Sequence, residues 1–371
     1  MPGLYGLGAT ALAADNPHAY AEPGTYVVTC VVVHAPDESA FPFGKATYSD
    51  PSLPCTTRII EDTLTFPDTA ATRIEVGGIS VDRACILPDG SKLYVALGKA
   101  DSVAVIDTRT NTIVSMIAVA DSPTYCVASN NGDRVYVSSK TARSVSVIRT
   151  LDDSVIATIS FSGAPGALDV LPSDSFLYVA HEDTGLISVI RTDDDSFVAE
   201  IWVGGPAACV AAEPEGRYVY AACGGKGGVA VIRTSDNNLA FTVAAGARPT
   251  DIVFSPSGET AYVACPADNG ITLIRTADHS VLAQVKHDSM GLRAPARLDV
   301  LPNGQCLYTM CEDGYHVGIL RRSDNYLLRN INIDPQYRGW RARVAVSHPD
   351  GSKVYLPTTA GVVVLGLRSD R

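Results

Sequence analysis

Two arginine-rich stretches offer the most chemistry in this sequence: Leu292-Arg-Ala-Pro-Ala-Arg297 and Pro335-Gln-Tyr-Arg-Gly-Trp-Arg-Ala-Arg343. A guanidinium fork meets carboxylate or phosphate through paired hydrogen bonds, and Tyr and Trp faces stack on sugar rings or cations. Arg293, Arg297, Tyr337, Arg338, Trp340 and Arg341 are therefore candidates for holding an anion or a glycan. The alternative is a packed lid, with Trp340 in a crevice and the arginines on acidic neighbours. A second candidate set, Arg83, Tyr125, His181, Asp251 and Arg297, is scattered along the chain. Only the elements that carry these residues can bring them together.

Those elements follow from a repeat. Tyr94, Tyr136, Tyr178, Tyr220, Tyr262, Tyr308 and Tyr355 stand in matching contexts, spaced 42, 42, 42, 42, 46 and 47 residues apart. Four residues before each lies a turn position: Gly90, Gly132, Asp174, Gly216, Gly258, Gly304 and Gly351. Twelve residues after each lies a fixed apolar position: Ile106, Ile148, Ile190, Ile232, Ile274, Leu320 and Leu367. Short β-branched runs such as Ser144-Val-Ser-Val-Ile148, separated by Gly, Asp and Asn, read as strands and turns. No helical period appears. Repeats of about 40 residues holding four short antiparallel strands are the pattern of propeller blades.

The expected fold is thus all-β: a seven-bladed β-propeller over residues 71–371, preceded by an N-terminal arm over 1–70. Blades are expected near 79–119, 122–163, 164–205, 206–246, 247–288, 289–334 and 335–371. The seventh repeat lacks an outer strand. Arg73-Ile-Glu-Val-Gly-Gly78 matches Glu200-Ile-Trp-Val-Gly-Gly205 of the third repeat, so residues 72–76 are expected to supply that strand and close the ring, removing exposed sheet edges.

In such a blade the b–c hairpins and the d–a loops between blades share one rim, where the channel opens. Seven residues before each turn position come Arg83, Tyr125, Ala167, Cys209, Asp251, Arg297 and Val344; three residues after each Tyr come Leu97, Ser139, His181, Cys223, Cys265, Cys311 and Thr358. The polar members of these rows are expected to line the channel mouth as a ligand site. The alternative is a ring of mutually hydrogen-bonded groups that fills the channel. Cys209 and Cys223 could pair across one hairpin. The three cysteines after His181 are not expected to converge on a metal, because equivalent positions diverge radially. Arg149, Arg191, Arg233, Arg275 and Arg321, each followed three residues later by Asp, read as local ion pairs flanking the c–d hairpin, each worth about 0–1 kcal/mol.

Composition narrows the function classes. The 371 residues are 46% hydrophobic and 19% charged with net charge −11, which suits a folded core and disfavours a nucleic-acid partner. The longest apolar run is far short of the ~20 residues of a membrane-spanning helix. Nine cysteines without a CxxC or CxxCH give no zinc-ribbon or haem signature, and GxSxG, HExxH and Walker patterns are absent. No cofactor or metal is expected. The N-terminus is a poor signal peptide, lacking Lys or Arg before its interrupted apolar run.

Leu93-Tyr-Val-Ala96, Val135-Tyr-Val-Ser138 and Ala261-Tyr-Val-Ala264, each followed by a strand ending Val-Ile-Asp-Thr or a close variant of Val-Ile-Arg-Thr, resemble the YVTN-type β-propeller repeat. That resemblance spans roughly residues 72–371. It implies a cell-surface or secreted, surface-layer-like location, with lactonases and redox enzymes among related propellers. Pro17 to Val33 resembles the last two strands of a PKD-type immunoglobulin-like domain; residues 34–56 read as a linker, and Cys30 and Cys55 as either a disulfide or two buried thiols. The leading expectation is a noncatalytic binding scaffold for a glycan, a small anionic ligand or a surface protein. The alternative is a lactonase-like or lyase-like enzyme with His181, Asp251 and Asp169 at the channel mouth.

Overall fold

The computed structural model describes residues 72–76, 83–224, 228–286, 293–314, 316–332, 343–359 and 361–366. The PKD-like strands, the linker and the Cys30–Cys55 pair lie outside the described residues.

Alternating β-branched runs cut by turns give seven four-stranded antiparallel sheets. Their inner strands are Ala84–Ile86, Pro123–Ala128, Pro165–Val170, Ala207–Ala212, Asp251–Phe254, Pro295–Val300 and Val346–Ser347. Sheet three shows the plan: Pro165–Val170, Phe176–His181, Leu186–Arg191 and Ser196–Trp202, each pairing with the next. Successive inner strands pack on one another, and the first packs on the seventh, so they surround a common axis. In sheet seven the outer strand is Thr72–Ile74, antiparallel to Gly361–Gly366 with Thr72 opposite Val364. Both ends of the described chain meet in that sheet.

The apolar residues sit between sheets. Each cluster joins two neighbours: Tyr94, Val103 and Val105 with Cys126, Val135 and Val137; Tyr178 and Val189 with Val210 and Val219; Ile74, Tyr355 and Val362 with Leu93 and Val95. A strand with both faces covered has no polar side, which is why these runs are continuous in Val, Ile and Leu. Each such side chain, fully buried, contributes roughly 1.5–3 kcal/mol.

The repeated Tyr does more than fill space. Its ring is buried, and in blades one, three and four its hydroxyl reaches the c–d turn of the next sheet: Tyr94 donates to Asp153 at 2.6 Å, Tyr178 to Asn237 at 2.5 Å, and Tyr220 meets His279 Nδ1 at 2.6 Å. All three partners have left-handed backbones, with φ of 54, 53 and 57°. In blades one to five a Thr that closes the third strand anchors the a–b turn: Thr150, Thr234 and Thr276, for example, donate to the carbonyls of Gly132, Gly216 and Gly258 at 2.6–2.7 Å. Those turn glycines, like Gly90, have φ of 71–77°, and Asp174 adopts the same left-handed turn at 55°. The Arg–Asp pairs form as expected on the turns, as in the exposed Arg149–Asp152 at 2.6 Å and Arg321–Asp324 at 2.9 Å, where the arginine is half-buried.

Carboxylates tie inner strands together. Asp169 accepts from the Ala212 N–H at 2.7 Å, Asp251 from Leu298 at 2.8 Å, and Asp299 from Ser347 at 3.0 Å. Each joins one sheet to the next, satisfying an inner-strand N–H that has no neighbour within its own sheet.

Candidate functional site

The inner strands bound a cavity of about 390 Å³ that receives residues from all seven sheets. Its polar lining is Arg83, Thr124, Tyr125, Glu182, Thr250, Arg297, Glu312 and Arg343, with Gly166, Ala167, Ala208, Ala296 and Cys311 between them.

Backbone geometry explains why adjacent residues face the same space. The pairing of inner and second strands shifts register between Pro123 and Tyr125, Pro165 and Leu168, Ala207 and Cys209, and Pro295 and Arg297. Such a bulge places two residues opposite one and re-aims their side chains. Thr124 with Tyr125, Gly166 with Ala167, and Ala296 with Arg297 thus all line the cavity. The same offset sets Cys209 opposite Ala222, and Cys223 opposite Ala207. Cys209 and Cys223 are free thiols, so the pairing their hairpin left open does not form.

Arg83, Tyr125 and Asp251 form one unit drawn from sheets one, two and five. The Arg83 guanidinium lies 4.4 Å from the Tyr125 ring centroid and 3.4 Å from Asp251 Oδ1. Side-chain exposure is 12% for Arg83 and 4% for Asp251, so the pair is screened little by water. Burial alone would lower the guanidinium pKa; Tyr125, Asp251 and Cys209 outweigh it and hold it above its ordinary value. Burial likewise pushes the Tyr125 phenol up, against the opposing pull of Arg83. Arg297 lines the cavity and donates to the Thr250 carbonyl at 2.6 Å. Arg343 is exposed, its backbone N–H held by the Pro357 carbonyl at 2.8 Å.

Glu182 and Glu312 carry the cavity's negative charge, and both are engaged, Glu182 with Lys140 at 2.5 Å and Glu312 with Arg248. Burial raises the Cys311 thiol to about 11, so it stays protonated at neutral pH. No group of three or more metal-ligating side chains occurs among the described residues.

Four of the five channel-mouth candidates are thus brought together: Arg83, Tyr125, Asp251 and Arg297. His181 is the correction. It is 2% exposed, bonds Ser188 Oγ at 2.8 Å through Nε2, and packs against Phe161 with centroids 5.3 Å apart. Phe161 follows the outer strand of sheet two, so His181 lies between two sheets and not on the axis. A blade turns its faces to its neighbours and only its inner edge to the channel. Burial lowers the His181 pKa and keeps the ring neutral. Arg293 is exposed and does not line the cavity. Tyr337, Arg338, Trp340 and Arg341 lie outside the described residues. Three charged lining residues are not marked by the sequence pattern as site members: Arg343, one position from the aligned Val344, and Glu182 and Glu312, four residues after Tyr178 and Tyr308.

No protein-family model matches the sequence, and no curated protein matches it. Solved structures do. The hydrazine synthase of Kuenenia stuttgartiensis is 22% identical with a TM-score of 0.70, over 81% of this chain and 99% of that one. The β-propeller domain of Cps50 (Swd1) from Myceliophteria thermophila is 12% identical with a TM-score of 0.71, over 80% of this chain and all of that one. At such identities the likeness is one of fold. The chain is a seven-bladed β-propeller of four-stranded antiparallel blades.

Proposed function

We propose that this propeller is a noncatalytic binding scaffold whose axial cavity takes a small anionic ligand. One observation carries the reading: a chain of net charge −11 gathers Arg83, Arg297 and Arg343 around one cavity of about 390 Å³. Low-dielectric walls concentrate the field of such a cluster and favour an anion over the water it displaces. The volume falls within the usual range of small-molecule sites. The lactonase-like or lyase-like alternative receives less support. His181 faces a neighbouring blade, Asp169 is occupied by the N–H groups of Ala212 and Val170, and the Cys311 thiol is neutral. A cell-surface or secreted setting, as the YVTN-type repeats imply, belongs to the same proposal.

The test is the melting temperature of the purified protein with a panel of acidic and neutral sugars, lactones and simple carboxylates, beside Arg297→Met. An anion at ~100 times its Kd stabilises by about 2.7 kcal/mol. The expected result is a rise with anionic compounds that Arg297→Met abolishes. A rise with neutral lactones alone, accompanied by their hydrolysis, would overturn the reading in favour of an enzyme.

A further inference from the structure

The three cavity cations are not equivalent, and their difference bears on the ligand's charge. Arg83 is already engaged within the protein: its charge faces Asp251 at 3.4 Å and its guanidinium carbon lies over the Tyr125 ring. Glu182 and Glu312 are paired with Lys140 and Arg248. Arg297 and Arg343 remain. Among the described residues neither has an acidic partner, and the one hydrogen bond of the Arg297 side chain is to a neutral carbonyl, that of Thr250. They come from adjacent blades, six and seven, whose inner strands pack together. Among the charged side chains that line the cavity, these pairings leave two positive charges over.

We propose that the ligand is a small dianion, a dicarboxylate or a phosphoryl group, held by Arg297 and Arg343, with Arg83 serving as a fixed positioning residue for the cavity wall. Each guanidinium offers a planar fork that fits two oxygens of carboxylate or phosphate. A monoanion would leave one cation without a counter-charge in a partly enclosed space, which makes charge number a basis for selection. The neighbouring surfaces, Ala167, Ala296 and the Tyr125 ring, offer apolar contact to a short carbon skeleton. This inference rests on the anion-binding reading above and narrows it.

The experiment is calorimetric titration at fixed ionic strength with succinate, inorganic phosphate and acetate as probes. The protein, Arg343→Met, Arg297→Met and Arg149→Met are compared, the last removing an exposed ion-paired cation on the turns of the opposite rim. Arg343 is exposed, so its variant is expected to fold normally, as checked by its unchanged melting curve. At least one dianion should bind tenfold or more tighter than acetate. Arg343→Met and Arg297→Met should each lower that affinity at least tenfold and bring it level with acetate, while Arg149→Met leaves it unchanged. Binding of succinate alone assigns a dicarboxylate, and binding of phosphate alone assigns a phosphoryl group. Acetate equal to both dianions, with the arginine dependence kept, overturns the dianion but leaves the anion site standing. Equal losses in Arg149→Met and Arg343→Met, or no binding by any anion, overturns both.

Discussion

At Asp299 the folded chain holds a proton more tightly than the unfolded chain does. Burial among the inner strands raises its carboxyl to about 7, against the pull of the Ser347 hydroxyl and N–H, and Asp251 adds to the rise. Burial raises Asp169 to about 6, opposed by the N–H groups of Ala212 and Val170. Both remain partly accessible to solvent although protein surrounds them. A raised folded pKa means stability present in full below the unfolded value near ~4 and lost as pH climbs through 6 and 7, each tenfold gain in proton affinity being worth ~1.4 kcal/mol. The melting temperature should therefore fall between pH 5 and 8, and Asp299→Asn should flatten that fall. A profile parallel to the parent would contradict the assignment. The Arg83–Asp251 pair makes a second residue-scale prediction. Arg83→Met strands a buried carboxylate and should cost about 3–5 kcal/mol in urea unfolding. Adding Asp251→Asn should recover part of this loss, because the amide oxygen still accepts from Leu298 without carrying charge. Equal stability of the single and double variants would argue against a buried ion pair.

Strands and turns are where this sequence was most legible. Each blade repeats a Tyr whose hydroxyl needs a partner and a turn needing positive φ, and blades one to five add a Thr that anchors that turn, so independent requirements mark the same register. Tyr178→Phe should lower stability by about 1 kcal/mol, since it removes one hydrogen bond and leaves Asn237 at the solvent-facing turn able to bond water. A loss above ~3 kcal/mol would show that the ring packing is disturbed as well. The cavity was half legible. Arg83, Tyr125, Asp251 and Arg297 follow from aligning equivalent positions. Arg343 does not: it stands one position before the aligned Val344, ahead of the short inner strand Val346–Ser347, so the repeat's strand register does not mark it. His181 misled for a different reason: its row aligns correctly, yet its ring lies between blades against Phe161, whereas Cys311 of the same row borders the cavity. The Arg338–Trp340–Arg341 sequence has no counterpart in the other repeats, so repetition says nothing about it.

Across the whole molecule, each blade is stabilised chiefly by its neighbours, with one apolar cluster at each of six junctions among the described residues. The junction of blades seven and one depends on Ile74, 4% exposed against Tyr355 and Val364. Ile74→Ala should cost about 2–5 kcal/mol. Ile74→Asp should expose the Gly361–Gly366 edge and bring concentration-dependent aggregation, measurable by light scattering. A soluble, monodisperse Asp variant would show that Thr72–Ile74 is dispensable.

The strand shared between the two ends also sets an order of events. Thr72 and Val364 are 292 positions apart (364 − 72), whereas every other outer strand lies a short turn away from its partner. On a ribosome Thr72 must wait until the Gly361–Gly366 strand has been made. Closing so long a loop adds only a logarithmic entropy term, yet such non-local pairing is slow. Six blades can therefore assemble before the last is completed, and the pairing of Thr72–Ile74 becomes the late step that separates a nascent, sticky arc from a finished ring.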